Sequence, residues 1–127
     1  MTQKVLIIED SKITSMYVSL FLKHDYDVLS AFNAKEGLDM VAEHHPDCIV
    51  SDLLMDEMDG FQLLEYAREK KLHIPVIIMS SDISEAHKQQ CLDLGAFAVL
   101  NKPLKGEELR KAVKDSLKAG KKDSCAR

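Results

Sequence analysis

The 127-residue chain reads as an α/β protein, a doubly wound parallel sheet of five strands in the order 2-1-3-4-5 with helices on both faces. Three observations predict this. Short apolar, β-rich runs alternate five times with longer stretches of helical spacing, the pattern of βαβ units. The first and third runs, "KVLII" and "CIVSD", are almost wholly apolar, as expected of strands covered on both faces. Right-handed crossovers then leave few possible layouts.

The strands are expected at 4–8, 27–31, 48–52, 75–80 and 98–101. Between them, Ile13, Met16, Tyr17, Leu20 and Phe21 share one face of a first helix and are expected to face the core. Leu38, Val41 and Ala42 mark the second helix, where Asn33 and Glu36 resemble a capping box. The third has Phe61, Leu64 and Ala67, with Asp59 as its expected cap. "SEAHKQQCLDLG" is a weakly patterned fourth helix that ends at Gly95. Leu109, Ala112, Val113 and Leu117 align on the fifth. Residues 1–120 are expected to form one domain, and 121–127 a flexible C-terminal tail.

Composition excludes several classes. A net charge of −4 argues against direct nucleic-acid binding. No apolar run approaches the roughly 18 residues that span a bilayer. Cys48, Cys91 and Cys125 have neither paired nor metal-type spacing, which suits reduced thiols in the cytoplasm. The five histidines lack metal-ligand spacing and are expected at helix ends and on the surface. Methionines such as Met55, Met58 and Met79 are expected to pack rather than react.

Doubly wound sheets bind ligands outside the carboxyl ends of their strands, at the switch point between strands 1 and 3. Strand 1 ends in Glu9-Asp10, strand 3 in Asp52, strand 4 in Ser80-Ser81, and strand 5 in Asn101-Lys102-Pro103. Three acids, a hydroxyl and a lysine should therefore converge. Clustered carboxylates repel until a proton or cation relieves them. An all-oxygen set suits Mg²⁺, which takes one or two carboxylates, waters and a phosphate. Lys102 and Ser80 suit phosphoryl oxygens, and a carboxylate is a nucleophile toward phosphorus. Asp52, central on strand 3, is the expected acceptor of a phosphoryl group. The Lys102–Pro103 bond is expected to be cis, so that the chain turns while the lysine points back at the site.

These pieces, "IIEDS", "SDLLMDEMDG", "PVIIMSS" and "LGAFAVLNKP", in this order and spacing, resemble the receiver domain of bacterial two-component response regulators, a flavodoxin-like fold, over roughly residues 4–118. The resemblance implies that Asp52 takes a phosphoryl group from a histidine kinase or phosphotransfer protein. It implies Mg²⁺ on Asp10, Asp52 and the backbone carbonyl of Leu54, with Glu9 acting through water. Ser80 and Lys102 would contact the phosphoryl oxygens. The face of helix 4, strand 5 and helix 5 would meet an output partner. Such a domain catalyses only its own phosphorylation and dephosphorylation, and is a monomer or weak dimer.

Three positions depart from the family's pattern: Asp56 stands where proline is common, Val99 where an aromatic residue is common, and Ser80 for the commoner threonine. Valine there puts the usual aromatic switch in question. The alternative reading is a Mg²⁺-dependent phosphohydrolase with an Asp nucleophile. Such enzymes carry a second acid two residues on, where this chain has Leu54. A flavin carrier of the same fold is disfavoured, because Glu9 and Asp10 stand where its phosphate would sit.

Overall fold

The computed structural model describes residues 2–53, 60–81 and 84–125, with side chains as far as residue 119. Five strands form one parallel sheet in the order β2-β1-β3-β4-β5. They are β1 (Lys4–Ile8), β2 (Asp27–Ala31), β3 (Cys48–Asp52), β4 (Val76–Ser80) and β5 (Ala98–Asn101). The helices are α1 (Lys12–Leu22), α2 (Ala34–His44), α3 (Gly60–Glu69), α4 (Glu85–Asp93) and α5 (Gly106–Cys125). Every residue of β3 and β4 is buried, which is why those runs lack the polar alternation of a half-exposed sheet. The backbone of 121–125 is helical, where a flexible tail was expected.

Side chains alternate across the strands and divide the core in two. Val5, Ile7, Val50, Ile77 and Met79 point to one face, where Val18 and Leu22 of α1 and Leu109, Val113 and Leu117 of α5 cover them. Leu6, Ile8, Ile49 and Ile78 point to the other, beneath Val41 of α2, Leu63 and Leu64 of α3 and Cys91 of α4. Each fully buried aliphatic side chain contributes about 1.5–3 kcal/mol. Both layers are needed to hold the strand tips in line.

Local signals place the helix ends. Ser11 caps α1, Asn33 caps α2 by accepting from the Glu36 N–H at 2.8 Å, and Ser84 caps α4. Gly95, at φ 105°, ends α4 in a conformation that favours glycine. Gly60 opens α3 hard against β3, where a Cβ would lie 3.0 Å from the Leu53 Cα. The expected cap Asp59, like Met55, Asp56, Glu57 and Met58, lies outside the described residues.

The α1 expectation is corrected. Ile13, Met16, Tyr17 and Leu20 do not face the core; they are 81%, 66%, 41% and 55% exposed. The buried positions are Ser15, Val18 and Leu22. Small Ser15 lets the helix approach the sheet closely, its hydroxyl 3.4 Å from that of Ser30. Phe21 is half-buried against the core. In α2, Ala42 is exposed and the buried positions are Ala34, Gly37 and Val41. The faces read for α3 and α5 do turn inward: Leu64 is buried with Phe61 packed beside it, and Leu109, Ala112, Val113 and Leu117 are all buried.

Candidate functional site

The carboxyl ends of β1, β3, β4 and β5 meet at one edge. Parallel register sets their heights: Ile8 lies beside Ser51, Asp52 beside Met79, and Ser80 beside Asn101. Glu9, Asp52 and Ser80 are buried, at 1%, 8% and 1% exposure, while Asp10 is exposed. One oxygen from each of Glu9, Asp10 and Asp52 lies within 4.8 Å of the others.

Lys102 reaches into this cluster from the end of β5. Its Nζ is 3.1 Å from Asp52 Oδ1 and 3.3 Å from Glu9 Oε2. Its backbone N–H donates to the Ser80 carbonyl at 2.9 Å, tying the lysine to the tip of β4. The following bond to Pro103 is cis, as expected from the sequence. The Ser11 N–H donates to Glu9 Oε1 at 3.2 Å, so one contact orients the acid and opens α1.

The electrostatics follow from these positions. Burial pushes the Glu9 pKa above its ordinary value, and the Asp52 charge adds to the rise, against the pull of Lys102 and the Ser11 N–H. For Lys102, burial disfavours the cation. Asp52 and then Glu9 outweigh that cost and hold its pKa above the usual lysine value. The ammonium therefore stays charged beside two carboxylates.

Glu9, Asp10, Asp52, Ser80 and Lys102 thus come from four strand tips to one edge. Leu54 lies outside the described residues. The pairing of Lys102 with Glu9 was not read from the sequence, because both residues were assigned to other partners. Two residues near the site were missed in their roles. The Tyr17 hydroxyl donates to the Leu104 carbonyl at 2.8 Å, and the exposed face of α1 runs toward Lys102. A groove of about 500 Å³ joins the two, lined by Ile13, Tyr17, Lys102 and Leu104 among others. Cys48 and Cys91 are free and buried. Burial pushes the Cys48 thiol up to about 12, beyond reactive range.

Acids, a hydroxyl and a cation gathered at the switch point of a 2-1-3-4-5 sheet mark the ligand-binding edge of a doubly wound α/β module. The family model described as the response regulator receiver domain matches residues 5–114. The chain belongs to that family, the receiver domains of two-component signalling. A protein named histidine kinase P4 from Formosa agariphila is 36% identical over 115 residues, which make up 89% of this chain and 8% of that protein. The chain therefore spans only a small part of that relative. The receiver domain of the Francisella response regulator 1452 superposes with a TM-score of 0.87 at 32% identity, covering 92% of this chain and 98% of that one. The chemotaxis protein CheY4 of Vibrio cholerae gives 0.84 at 28% identity, covering 91% and 99%. Among the described residues no helix is long and apolar enough to cross a membrane.

Proposed function

We propose that this receiver accepts a phosphoryl group on Asp52 from a histidine kinase or phosphotransfer protein, with Mg²⁺, and signals by phosphorylation-dependent docking in the cytoplasm. The observation that carries this is the Lys102 ammonium, 3.1 Å from Asp52 and held at the mouth of a three-acid cluster. A half-buried lysine between two acids, 23% exposed, suits a group that arrives with negative charge. In transfer, an Asp52 oxygen forms a bond to phosphorus as the donor's P–N or P–O bond breaks. The leaving imidazole or acetate takes the electron pair. Lys102 then pairs with a phosphoryl oxygen, and Ser80 approaches another from β4. Water later attacks the phosphorus, the Asp52 O–P bond breaks and inorganic phosphate leaves with the carboxylate restored, so the domain acts only on its own phosphoryl group. We take residues 1–120 as this unit, monomeric or weakly dimeric.

The donor set fits Mg²⁺. Glu9, Asp10 and Asp52 offer hard carboxylate oxygens with no imidazole or thiolate among them. Burial and the Asp52 charge already oppose ionisation of Glu9, a penalty that a cation would relieve. When bound, the ion would neutralise charge on the phosphoryl oxygens. Asp10 and Asp52 would hold it, with Glu9 behind them and the Leu54 carbonyl, outside the described residues, as the remaining expected ligand.

The exposed face of α1 supports a docking site for the phosphodonor. A donor that delivers phosphorus to Asp52 must pass Lys102, and the groove there continues onto Ile13 and Tyr17. We assign the exposed Ile13, Met16 and Leu20 to an apolar contact with the phosphodonor protein. The output partner is assigned to the side of α4, β5 and α5.

The test of the acceptor is direct. Incubated with acetyl phosphate and Mg²⁺, the protein should gain one adduct of about 80 Da by intact mass spectrometry. Asp52→Asn should lose it; an unchanged adduct in that variant would place the acceptor elsewhere.

A further inference from the structure

Tyr17 sits on the exposed side of α1, yet its hydroxyl reaches 87 residues along the chain to the Leu104 carbonyl at 2.8 Å. Its ring is also braced. It packs edge-on against Phe21, with centroids 5.0 Å apart and planes at 71°. Phe21 in turn lies against Gly106, where any Cβ would collide with the ring. The Arg110 Nε donates to the Phe21 carbonyl at 3.1 Å, and its guanidinium lies over the Phe21 ring. Tyr17 is thus the end of a rigid seam between α1 and α5, and its one polar atom is aimed at the segment between β5 and α5.

That segment carries Lys102. The lysine's backbone is held on one side by the Ser80 carbonyl, through the Lys102 N–H. Two residues on, the Leu104 side chain is buried in the core and the Leu104 carbonyl is held by Tyr17. Lysine has a long, flexible stem, so where its ammonium rests depends on how firmly its backbone is anchored. Two anchors, before and after, confine the ammonium to the space between Asp52 and Glu9.

We propose that Tyr17 is a positioning residue for phosphoryl transfer: its hydroxyl clamps the Leu104 carbonyl and so aims the Lys102 ammonium at the Asp52 carboxylate. The inference rests on the reading of Asp52 as phosphoacceptor. A misplacement of about 1 Å in a group that stabilises transferring charge costs rate far more than stability.

The experiment compares wild type with Tyr17→Phe, which keeps the ring and its packing and removes only the hydroxyl. Acetyl phosphate is the donor, because a small molecule needs no docking face and so separates positioning from recognition. Two quantities are read: the phosphorylation rate at saturating Mg²⁺, and the NMR relaxation of the Lys102 Cε in the protein without donor or metal. In Tyr17→Phe the rate should fall about fivefold, the worth of one hydrogen bond. The Lys102 Cε should become more mobile, with the melting temperature little changed. A rate that does not fall, or a fall with Lys102 unchanged, overturns the proposal, since Tyr17 would then act on stability or not at all. If wild type takes up no phosphoryl group, the reading of Asp52 fails instead. The Cε measurement still decides whether Tyr17 places Lys102.

Discussion

Glu9 is enclosed at 1% exposure, beside Asp52, with the Lys102 ammonium and the Ser11 N–H as its partners. Its folded pKa is raised, so folding favours its neutral form more than the unfolded chain does. The sign follows: the contribution to stability is fully present below the ordinary carboxylate value near 4.5, and is lost as pH rises through the raised folded value. A cation that binds only the folded cluster opposes that loss by mass action. Millimolar Mg²⁺ should therefore raise the melting temperature, and by more at pH 8 than at pH 5. Differential scanning calorimetry with Asp10→Asn checks the location. If that variant keeps the full rise, the ion binds somewhere else. Asp10 is exposed, so its substitution leaves the fold itself nearly untouched.

Among the elements, α1 carries the clearest consequence. Its buried side is the short line Ser15, Val18 and Leu22, while larger apolar side chains face outward. Apolar residues at helical spacing identify an amphipathic helix but cannot say which of two apolar sides meets the sheet. Leu20→Lys should change stability by no more than about 0.5 kcal/mol, as for an ordinary surface position. Phosphorylation by acetyl phosphate should be unaffected, while transfer from a phosphohistidine protein should slow by about tenfold or more, as expected for loss of a buried interface anchor. Rapid-quench assays with the two donors separate these outcomes. Equal rates from the protein donor would remove α1 from the docking site. α4 contrasts with α1, since Cys91 is its one buried residue. Few apolar contacts hold it, which places it at the low-stability end of the fold.

At the scale of the molecule, Val99 and α4 bear on how phosphorylation would reach a partner. Val99 pairs in register with Ile78 and packs, half-buried, on the core beneath α2, α3 and α4. A β-branched valine has one preferred rotamer and little reach, so it does not exchange between inward and outward positions as an aromatic ring would. Ser80 is buried at the tip of β4, shortly before α4 begins. Drawing its hydroxyl toward a phosphoryl oxygen would pull on the chain that leads to α4, where Cys91 alone is buried. A ligand shifts such an equilibrium only by its differential affinity for the two states, so the Ser80 contact must be stronger in the active one. With beryllofluoride as phosphoryl mimic, amide NMR shifts should concentrate at residues 80–95. Ser80→Ala should remove most of them while the mimic still binds. Changes centred on Val99 and α5 that survive in Ser80→Ala would refute this route.

What the sequence determined by itself were the five strands, the order of the sheet and the identity of the residues at its tips. Strand and helix are local matters: apolar runs, caps such as Asn33, and breaks such as Gly95 act within a few residues. One connection rule then carries Glu9, Asp10, Asp52, Ser80 and Lys102 to a common edge, because each ends or follows a strand. Tertiary structure decided the rest. Whether α1 buries Val18 or Met16 depends on the fit of Ser15 against Ser30 and of Leu22 against the core, a matter of shape between elements rather than of hydropathy. The choice of Glu9 as a second partner for Lys102, 93 residues away, and of Leu104 as acceptor for Tyr17, 87 residues away, rests on distances of a few ångströms. Such distances exist only once both layers of the core have packed, since no spacing along the chain encodes where a flexible lysine or a tyrosine hydroxyl comes to rest.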